Sequence, residues 1–242
     1  MFHDLSPHQC VPVISEQLYK MSDVKNLSCY EDDFTFLKTC LDFINKEMDL
    51  ELVAKHDDKT MLQYFKHMDN GNQARVVFPH GLGLLEEYRE RAKTGDSFLY
   101  FVGFIGQKQD TVDDSVEQEV WQMDAVLTAE LCNQEDIMAY CSAERIPGGN
   151  WGDLVVCRHP RAVQKWNQLK IHDNAIRDMS PAYYTSVRIH RGALPLGLAS
   201  DRFRVERTLF LNYDNITRTV QSRHVEMWQS TIKDTPTSPC YA

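Results

Sequence analysis

Residues 149–191 read GNWGDLVVCRHPRAVQKWNQLKIHDNAIRDMSPAYYTSVRIHR and combine the patterns of a strand, a helix and a second strand. The apolar run Leu154–Cys157 predicts the first strand. An amphipathic pattern predicts a helix over Arg161–Met179, which Ser180-Pro181 is expected to end, and Tyr183–His190 predicts the returning strand. We expect this β-α-β unit to be the centre of the fold and to line a pocket for a small molecule.

The composition is that of a globular protein, because 43% of the 242 residues are apolar and 25% are charged. The net charge of −9 argues against nucleic acid or an anionic membrane surface as the main partner. No apolar run reaches the ~20 residues that span a bilayer, and the N-terminal sequence MFHDLSPHQC lacks the apolar segment of a signal peptide. We therefore expect a cytoplasmic protein without a membrane partner.

Seven cysteines stand at positions 10, 29, 40, 132, 141, 157 and 240, and no two of them form a CxxC pair. An odd number without zinc-site spacing predicts free thiols in a reducing compartment and no metal site. Cys141 and Cys157 fall in predicted strands, where we expect small buried side chains rather than nucleophiles. The sequence also lacks a P-loop and the GxGxxG, HExxH and GxSxG motifs, which removes the most easily recognised enzyme classes.

The N-terminal half predicts alternating helices and strands after an arm without firm periodicity. A helix is expected after Tyr30, because acidic residues fill its first turn and apolar residues then follow helical spacing. Beyond it, the patterns predict a strand at Leu50–Ala54, a helical piece at Lys59–His67, a strand at Ala74–Phe78, a helix at Leu82–Lys93 and a strand at Phe98–Ile105.

The C-terminal half is predicted to be richer in strands. The polar and acidic stretch Gln107–Glu119 is expected to be a linker or a long surface loop. Alternating side chains predict a strand over Val120–Leu131, and a further strand is expected at Asp136–Arg145. After the β-α-β unit, Phe203–Tyr213 predicts the last strand.

This element order predicts an α+β fold with two halves, each an antiparallel sheet with helices packed on one face. The predicted division is an N-terminal arm at 1–28, a first half at 29–106, an acidic linker at 107–119, a second half at 120–229 and a disordered tail at 230–242. No residue-level repeat relates the two halves, so their similarity rests on element order alone.

His172 is the first candidate for chemistry, because it falls in the apolar stripe of the predicted Arg161–Met179 helix and so faces the sheet or a cavity beside it. A neutral histidine there can act as a general base near pH 7 or ligate haem iron. The alternative is a buried histidine hydrogen-bonded to backbone or to a carboxylate. His80, at a strand-to-helix turn, is either an anion or ligand site or a turn residue without function.

Strand alternation places Tyr184, Ser186, Arg188 and His190 on one polar face of the returning strand. That face either meets solvent or lines the pocket. In a pocket, Arg188 and Tyr184 would donate hydrogen bonds to a carbonyl or enolate oxygen while a histidine moves a proton.

Two acidic residues, Asp124 and Glu144, reach the same cavity as Arg188 if their predicted strands are neighbours. Burial there would raise the pKa of a carboxyl group and let it serve as an acid or a base. The alternative is an Arg–carboxylate pair on a solvent-exposed face. Three tryptophans are candidates either for the walls of a pocket that takes a flat apolar substrate or for ordinary core residues: Trp121, Trp151 and Trp166.

The stretch WGDLVVCRHPRAVQKWNQLKIHDNAI, followed by SPAYYTSVRIHRG, resembles the dimeric α+β barrel superfamily. This ferredoxin-like group contains antibiotic-biosynthesis monooxygenases, EthD-type proteins and haem-dehydratase-like proteins. The resemblance lies in a strand, a helix with a tryptophan and a late histidine, and a returning strand; it covers residues 120–213 well and 50–105 only by element order. It implies two ferredoxin-like halves of α+β barrel type, with a cavity between sheet and helices and sheets that pair in a homodimer.

The resemblance also implies a function in natural-product metabolism. We expect an isomerase, cyclase, dehydratase or oxygenase that uses acid/base chemistry without a cofactor on a hydrophobic aromatic or polycyclic substrate. His172 would move the proton, Arg188 and Tyr184 would hold an oxygen, and Asp124 or Glu144 would orient or share the proton. The alternatives are a haem-binding dehydratase-type enzyme with His172 or His80 as axial ligand, and a non-catalytic ligand-binding or stress-response protein.

Overall fold

The computed structural model describes residues 30–49, 60–94 and 97–228. The predicted N-terminal arm at 1–28, the strand expected at Leu50–Ala54 and the tail at 230–242 lie outside the described residues. Within the described part, no helix is long and apolar enough to cross a membrane.

The helices are α1 at Glu31–Met48, α2 at Gly83–Ala92, α3 at Asp114–Glu130, α4 at Arg161–Asn167, α5 at Lys170–Asn174 and α6 at Ser180–Tyr183. A π-helical turn at Ala175–Met179 joins α5 to α6. Helix α1 begins where predicted, because Glu31, Asp32 and Asp33 place negative charge in the first turn, where the helix dipole favours it.

The strands are β1 at Leu62–His67, β2 at Gln73–Phe78, β3 at Leu99–Lys108, β4 at Ile137–Glu144, β5 at Trp151–Cys157, β6 at Tyr184–Leu194, β7 at Arg204–Asp214 and β8 at Thr219–Met227. They form one sheet in the order β1-β2-β4-β5-β3-β6-β7-β8, and every neighbouring pair is antiparallel. The chain therefore has an α+β fold, as predicted.

The central strands follow a β-α-β-β-α-β order along the chain: β3, α3, β4, β5, the helical segment Arg161–Tyr183 and β6. In the sheet they lie side by side as β4-β5-β3-β6, which is the connectivity of one ferredoxin-like unit. The β1-β2 and β7-β8 hairpins extend its two edges. Because β3 of the first predicted half lies between β5 and β6 of the second, two ferredoxin-like halves are not confirmed, and the domain boundaries stay a prediction.

Helices cover both faces of the single sheet, with α1 and α2 on one face and α4 on the other. On the α1 face, Leu37 and Ile44 of α1 pack with sheet residues such as Phe101. Gly103 makes this approach possible, since a Cβ there would lie 2.4 Å from a Leu37 methyl carbon. On the opposite side, which we call the α3 face, a smaller apolar cluster includes Tyr140 of the sheet and residues of α4.

The helical piece predicted at Lys59–His67 is wrong, because most of it forms strand β1. A tight turn at Asn70-Gly71 folds β1 back onto β2, and Gly71 takes a φ of 85° that favours glycine. The backbone N–H of Met68 donates to the carbonyl of Asn72 at 2.9 Å and closes the turn. Pairing with β2 therefore overrides a weak helical pattern.

The strand predicted at Val120–Leu131 is wrong as well, because these residues belong to α3. The Gln, Glu, Met, Ala and Leu residues of this segment are strong helix formers. The predicted linker Gln107–Glu119 contains the end of β3 and the first turn of α3. Its acidic residues Asp114 and Glu117 stand in that first turn, where negative charge stabilises a helix.

The helical segment of the β-α-β unit differs from prediction in two respects. It is interrupted at Leu169, whose ψ of 123° is extended. Pro181 does not end a helix but stands in the first turn of α6, where its missing N–H has no helical partner to lose. Strand β8 was not predicted, because its exposed residues show no apolar alternation.

Candidate functional site

On the α1 face, Asp33 of α1 joins two predicted site residues of β6, Arg188 and His190. Arg188 donates to the carboxylate from Nε at 2.6 Å and from Nη2 at 2.7 Å. His190 Nε2 lies 3.0 Å from Oδ2 of the same carboxylate. Burial raises the pKa of Asp33, but the hydrogen bonds and charges of Arg188 and His190 outweigh burial and lower this pKa to about 2. Asp33 is therefore ionised at neutral pH.

His190 extends the network into the core. Its Nδ1 lies 2.9 Å from Thr208 Oγ1, and Trp228 Nε1 donates to that oxygen at 3.0 Å. Nε2–H donates to the Asp33 carboxylate, which can only accept, and Nδ1 shares the second hydrogen bond with the Thr208 hydroxyl. A carboxylate, imidazole and hydroxyl in this order resemble a nucleophilic triad, but His190 and Thr208 are both 0% exposed. The network therefore fastens α1 to the sheet, and its imidazole and hydroxyl are sealed from substrate.

A cleft of about 290 Å³ opens beside this network, and it is lined by Tyr30, Asp32, Asp33, Arg145, Arg188 and Phe210. Arg145 Nη2 lies 3.6 Å from Asp33 Oδ1. Burial lowers the pKa of Arg145, and so does the charge of Arg188. The cleft is therefore lined by two carboxylates, of Asp32 and Asp33, and two guanidinium groups.

A larger cleft of about 340 Å³ lies on the α3 face, and four aromatic residues are among those that line it: Phe65, Trp121, Trp151 and Tyr183. We call it the aromatic cleft. Trp121 and Trp151 meet edge to face with ring centroids 5.5 Å apart, so two of the three predicted pocket tryptophans are brought together. Phe65 is 65% exposed and Trp121 is 41% exposed, and apolar rings held open to solvent in one place are typical of a binding surface.

Lys108 of β3 supplies a positive charge to the aromatic cleft. Its Nζ lies 2.6 Å from a carboxylate oxygen of Glu117 and 5.3 Å from the centre of the Tyr183 ring. Burial lowers the pKa of Lys108, but Glu117 and Tyr183 outweigh burial and raise it. The ammonium group therefore stays charged at the wall of the cleft.

Glu144 of β4, a predicted catalytic residue, also lines the aromatic cleft. Its carboxylate accepts backbone N–H groups from Gln73 at 2.9 Å and from Gly148 at 3.1 Å. These hydrogen bonds hold the loop after β4 against β2. The position of Glu144 fits the predicted pocket, while its bonding is that of a loop anchor.

A row of polar residues crosses the sheet next to the cleft, also on the α3 face. Arg75 of β2 lies opposite Ser142 of β4, which lies opposite Asp153 of β5. Arg75 is 6% exposed and donates from Nη1 and Nη2 to the two carboxylate oxygens of Asp124, both at 2.7 Å. The Arg–carboxylate pair predicted for Asp124 therefore forms with Arg75 and not with Arg188.

Asp153, at the β5 end of this row, has a raised pKa. Burial and the negative charge of Asp124 raise its pKa from 3.8 to about 6, although hydrogen bonds with Ser142 and Tyr140 oppose the shift. Trp151 precedes it by two residues on β5 and so points to the same face. Asp153 thus lies next to the aromatic cleft with a pKa suited to proton transfer near neutral pH.

The four polar residues predicted for one face of the returning strand do not share that face. A register shift near the end of β3 turns Tyr184 to the α3 face, where its ring centroid lies 5.5 Å from that of Phe104. Burial, together with the charge of Asp153, holds the pKa of Tyr184 well above its usual value, so its hydroxyl stays a donor. The other three residues point to the α1 face: Ser186, Arg188 and His190.

His172 of α5 lies on the α3 face beside Trp166, with ring centroids 5.5 Å apart. Its buried Nδ1 has no hydrogen-bond partner in the part of the chain that the structure describes. Burial and the positive charge of Arg191 lower its pKa to about 4, so the imidazole is neutral at pH 7. His80 differs, because its Nε2 lies 3.0 Å from the carbonyl oxygen of Gln134.

The predicted catalytic residues therefore occupy separate places. Glu144 lines the aromatic cleft, and Asp124 and Tyr184 lie near Asp153 on the same face. His172 lies apart from them, beside Trp166. The predicted cavity shared by Asp124, Glu144 and Arg188 is wrong, because Arg188 points to the opposite face of the sheet and binds Asp33.

Sequence reasoning missed four residues that shape these sites: Asp33, Arg75, Lys108 and Asp153. The signal for Arg75 and Asp153 was a charged residue inside an apolar strand pattern, ARVVF and WGDLVV respectively. Such a residue has to be paired or to change its proton affinity when the strand is buried. Asp33 gave a weaker signal, because an acid in the first turn of a helix needs no partner elsewhere.

Among residues 30–49, 60–94 and 97–228, no three His, Cys, Asp or Glu side chains are grouped to hold a metal ion. Cys141 and Cys157 are free and buried, as predicted. No protein-family model matches the chain, and neither a curated protein nor a solved structure matches it significantly. Inference about function therefore rests on the geometry of the sites.

Proposed function

We propose that the chain is a small-molecule enzyme that moves protons on an aromatic substrate held in the aromatic cleft. One observation carries the proposal: aromatic rings and the charged Lys108 line one cleft, and the carboxyl of Asp153 lies on the same face of the sheet, two residues along β5 from the cleft residue Trp151. Aromatic walls with a few placed polar groups are the usual composition of a small-molecule site.

The cleft favours a flat substrate of small size. Its volume of about 340 Å³ is near the lower end of ligand pockets, which begin at about 300 Å³. Trp121 and Trp151 present an edge-to-face pair that a further ring can join. We therefore expect a compound of one or two rings rather than a large polycyclic one.

Two groups supply the chemistry. Asp153, with a pKa of about 6, is ionised at pH 7 and takes a proton from carbon next to a carbonyl. Lys108 then stabilises the negative oxygen that develops, as a fixed positive charge does in an oxyanion site. The Tyr184 hydroxyl is a further donor on this face. Isomerisation, dehydration and cyclisation all use this step, and enolates are also the species that cofactor-free oxygenases form.

The same proposal includes a relationship to the dimeric α+β barrel superfamily and a role in natural-product metabolism. The β4-β5-β3-β6 unit, with α3 and the segment Arg161–Tyr183 on one face, supports this relationship. A homodimer through sheet pairing would need a different surface here, because α1 covers part of the opposite face.

The test is hydrogen–deuterium exchange of 2-tetralone, a two-ring ketone with acidic C–H bonds, followed by proton NMR in D2O. The proposal expects the protein to accelerate exchange above buffer, and Asp153→Asn to slow it by about 100-fold or more. Trp121→Ala should raise the ketone concentration needed for half-maximal rate. Asp110→Asn, at an exposed residue that does not line the cleft, is the matched control.

Two outcomes would contradict the enzyme assignment. Exchange by Asp153→Asn at the rate of the unaltered protein would remove Asp153 from the chemistry. Saturable binding of 2-tetralone without any acceleration of exchange would instead favour a non-catalytic ligand-binding protein.

A second candidate, haem binding, is favoured by His172. Its imidazole is neutral and its buried Nδ1 lacks a partner among the described residues, as a histidine that binds a metal requires before binding. Haem there would supply an iron centre for dehydratase-type chemistry, and His172 would be the residue that holds it. A Soret band after haem supplementation, lost in His172→Ala, would support this candidate, and a flat spectrum in that region would exclude it.

A further inference from the structure

Two arginines face each other directly on neighbouring strands of the sheet. Arg191 of β6 is the register partner of Arg207 of β7, so both side chains leave the sheet on the same side. That side is the α3 face, because Arg191 also lies opposite Val102, which lies opposite Val155. Like charges directly opposed across a strand pair destabilise the sheet.

No counter-ion compensates this pair within the described residues. Arg207 Nε is buried and has no hydrogen-bond partner there. Burial lowers the pKa of Arg191, and so does the charge of Arg207, while only the Cys157 thiol opposes this. Burial raises the pKa of Cys157 to about 12, so that thiol is neutral and cannot balance the arginines.

Nearby carboxylates are taken up by other cations. Asp173, which acts on His172, lies 2.9 Å from Arg177 Nε. Asp136, which acts on Cys157, pairs with Arg158 at 3.1 Å and Lys165 at 3.3 Å. Glu206, next to Arg207 in the sequence, pairs with Arg204 at 3.2 Å. Among residues 30–49, 60–94 and 97–228, no carboxylate therefore pairs with Arg191 or Arg207.

The imidazole of His172 lies on the same face of the sheet as the two arginines. Trp166, which lies beside His172, packs on the same apolar cluster as Val155. Val155 is in register with Val102, which is in register with Arg191, so His172 lies over the same part of the α3 face as Arg191. The Nδ1 of His172 is buried without a partner in the described part of the chain. A neutral imidazole can donate one hydrogen bond from that nitrogen, and each guanidinium offers a planar pair of donors.

We propose that Arg191, Arg207 and His172 bind a phosphate group, either as the free ion or as part of a small phosphate ester. A phosphate carries about −1.5 to −2 charges at pH 7, which matches the two uncompensated guanidinium groups. Guanidinium groups bind phosphate through paired N–H···O bonds, and phosphate oxygens fill the bonding capacity that Arg207 Nε and His172 Nδ1 leave open. Neither arginine lines the aromatic cleft, so this site is separate from the proposed active site.

The test is the shift of the melting temperature with inorganic phosphate and with phenyl phosphate, each compared with KCl at equal ionic strength. Ligand binding to the folded state should raise Tm of the unaltered protein by about 2–4 °C near saturation. Arg191→Gln and Arg207→Gln should each abolish this shift. Arg223→Gln, which removes the same charge from an exposed position of β8, should retain it.

The two phosphate compounds distinguish two kinds of ligand. A shift with inorganic phosphate supports a site for the free ion, and a shift with phenyl phosphate alone supports a site for a phosphate ester. The absence of a shift with both, or an equal shift in Arg191→Gln, overturns the proposal. Because each variant is compared with itself in KCl, a general loss of stability does not obscure the result.

A second signature separates binding from packing. In phosphate-free buffer, Arg191→Gln should melt at or above the temperature of the unaltered protein, because it removes the repulsion from Arg207. A variant that melts several degrees lower in KCl and keeps its phosphate shift would mean that Arg191 serves only in packing. Trp166, beside His172, gives an independent fluorescence signal for phosphate binding.

Discussion

Asp33 and His190 stand 157 positions apart in the sequence, yet Oδ2 of the carboxylate and Nε2 of the imidazole lie 3.0 Å apart. The contact joins the first turn of α1 to the middle of β6 and is reinforced by Arg188. Arg188 and His190, which the sequence suggested as pocket residues, thus connect helix α1 to the sheet. The consequence is that changes at Asp33 should act on stability before they act on ligand binding.

Asp33→Asn should destabilise the protein by about 3 kcal/mol, because it leaves Arg188 half-buried without a charged partner. The free energy of unfolding in urea measures this effect. Asp32→Asn, at an exposed position of the same helical turn, is the matched control and should change stability little. Equal effects of the two substitutions would contradict the role given to Asp33.

Acid should remove the contribution of Asp33. The pKa of this carboxyl is about 2 in the folded protein and 3.8 ordinarily, so its stabilisation is complete above about pH 4 and is lost as the pH falls through about 2. Between pH 5 and pH 2 the unaltered protein should lose about 2 kcal/mol more than Asp33→Asn does. Parallel acid unfolding curves for the two proteins would disprove this prediction.

Asp153→Asn should stabilise the protein at high pH. Folding raises the pKa of Asp153 from 3.8 to about 6, so the ionised carboxyl opposes folding, and stability declines as the pH rises from about 4 to 6. The amide does not ionise, so the variant should be more stable by about 1–2 kcal/mol at pH 8 and no more stable at pH 3.5. A variant less stable at both pH values would show that Asp153 is a structural residue. If Asp153 serves function at a cost in stability, Asp153→Asn should be more stable than the unaltered protein at pH 8.

The sequence predicted most of the regular elements because local patterns determine them. The apolar runs of β2, β3, β4, β5 and β7 and the acidic start of α1 are visible without knowledge of contacts. Where the local pattern was ambiguous, tertiary pairing decided. Pairing with β2 makes residues 62–67 a strand. The alternating side chains that suggested a strand at Val120–Leu131 belong to helix α3, whose residues are strong helix formers.

The sites were harder to predict from the sequence, because they depend on the face of the sheet to which each side chain points. One register shift near the end of β3 turns Tyr184 away from Arg188 and His190, and no local pattern reports it. The partners of Arg188 and Asp124 are Asp33 and Arg75, and both lie in parts of the chain far from them. Trp121 and Trp151 could be singled out from the sequence because tryptophan is a common pocket residue, and they meet edge to face in the aromatic cleft.

The pH dependence of 2-tetralone exchange tests the central proposal most directly. If Asp153 is the base, the rate rises with pH through a midpoint near its pKa of about 6, reaches a plateau above pH 7, and loses this midpoint in Asp153→Asn while Asp110→Asn keeps it. A midpoint near 6 that persists in Asp153→Asn, or a rate without any midpoint in the unaltered protein, would contradict proton transfer by Asp153 at the aromatic cleft.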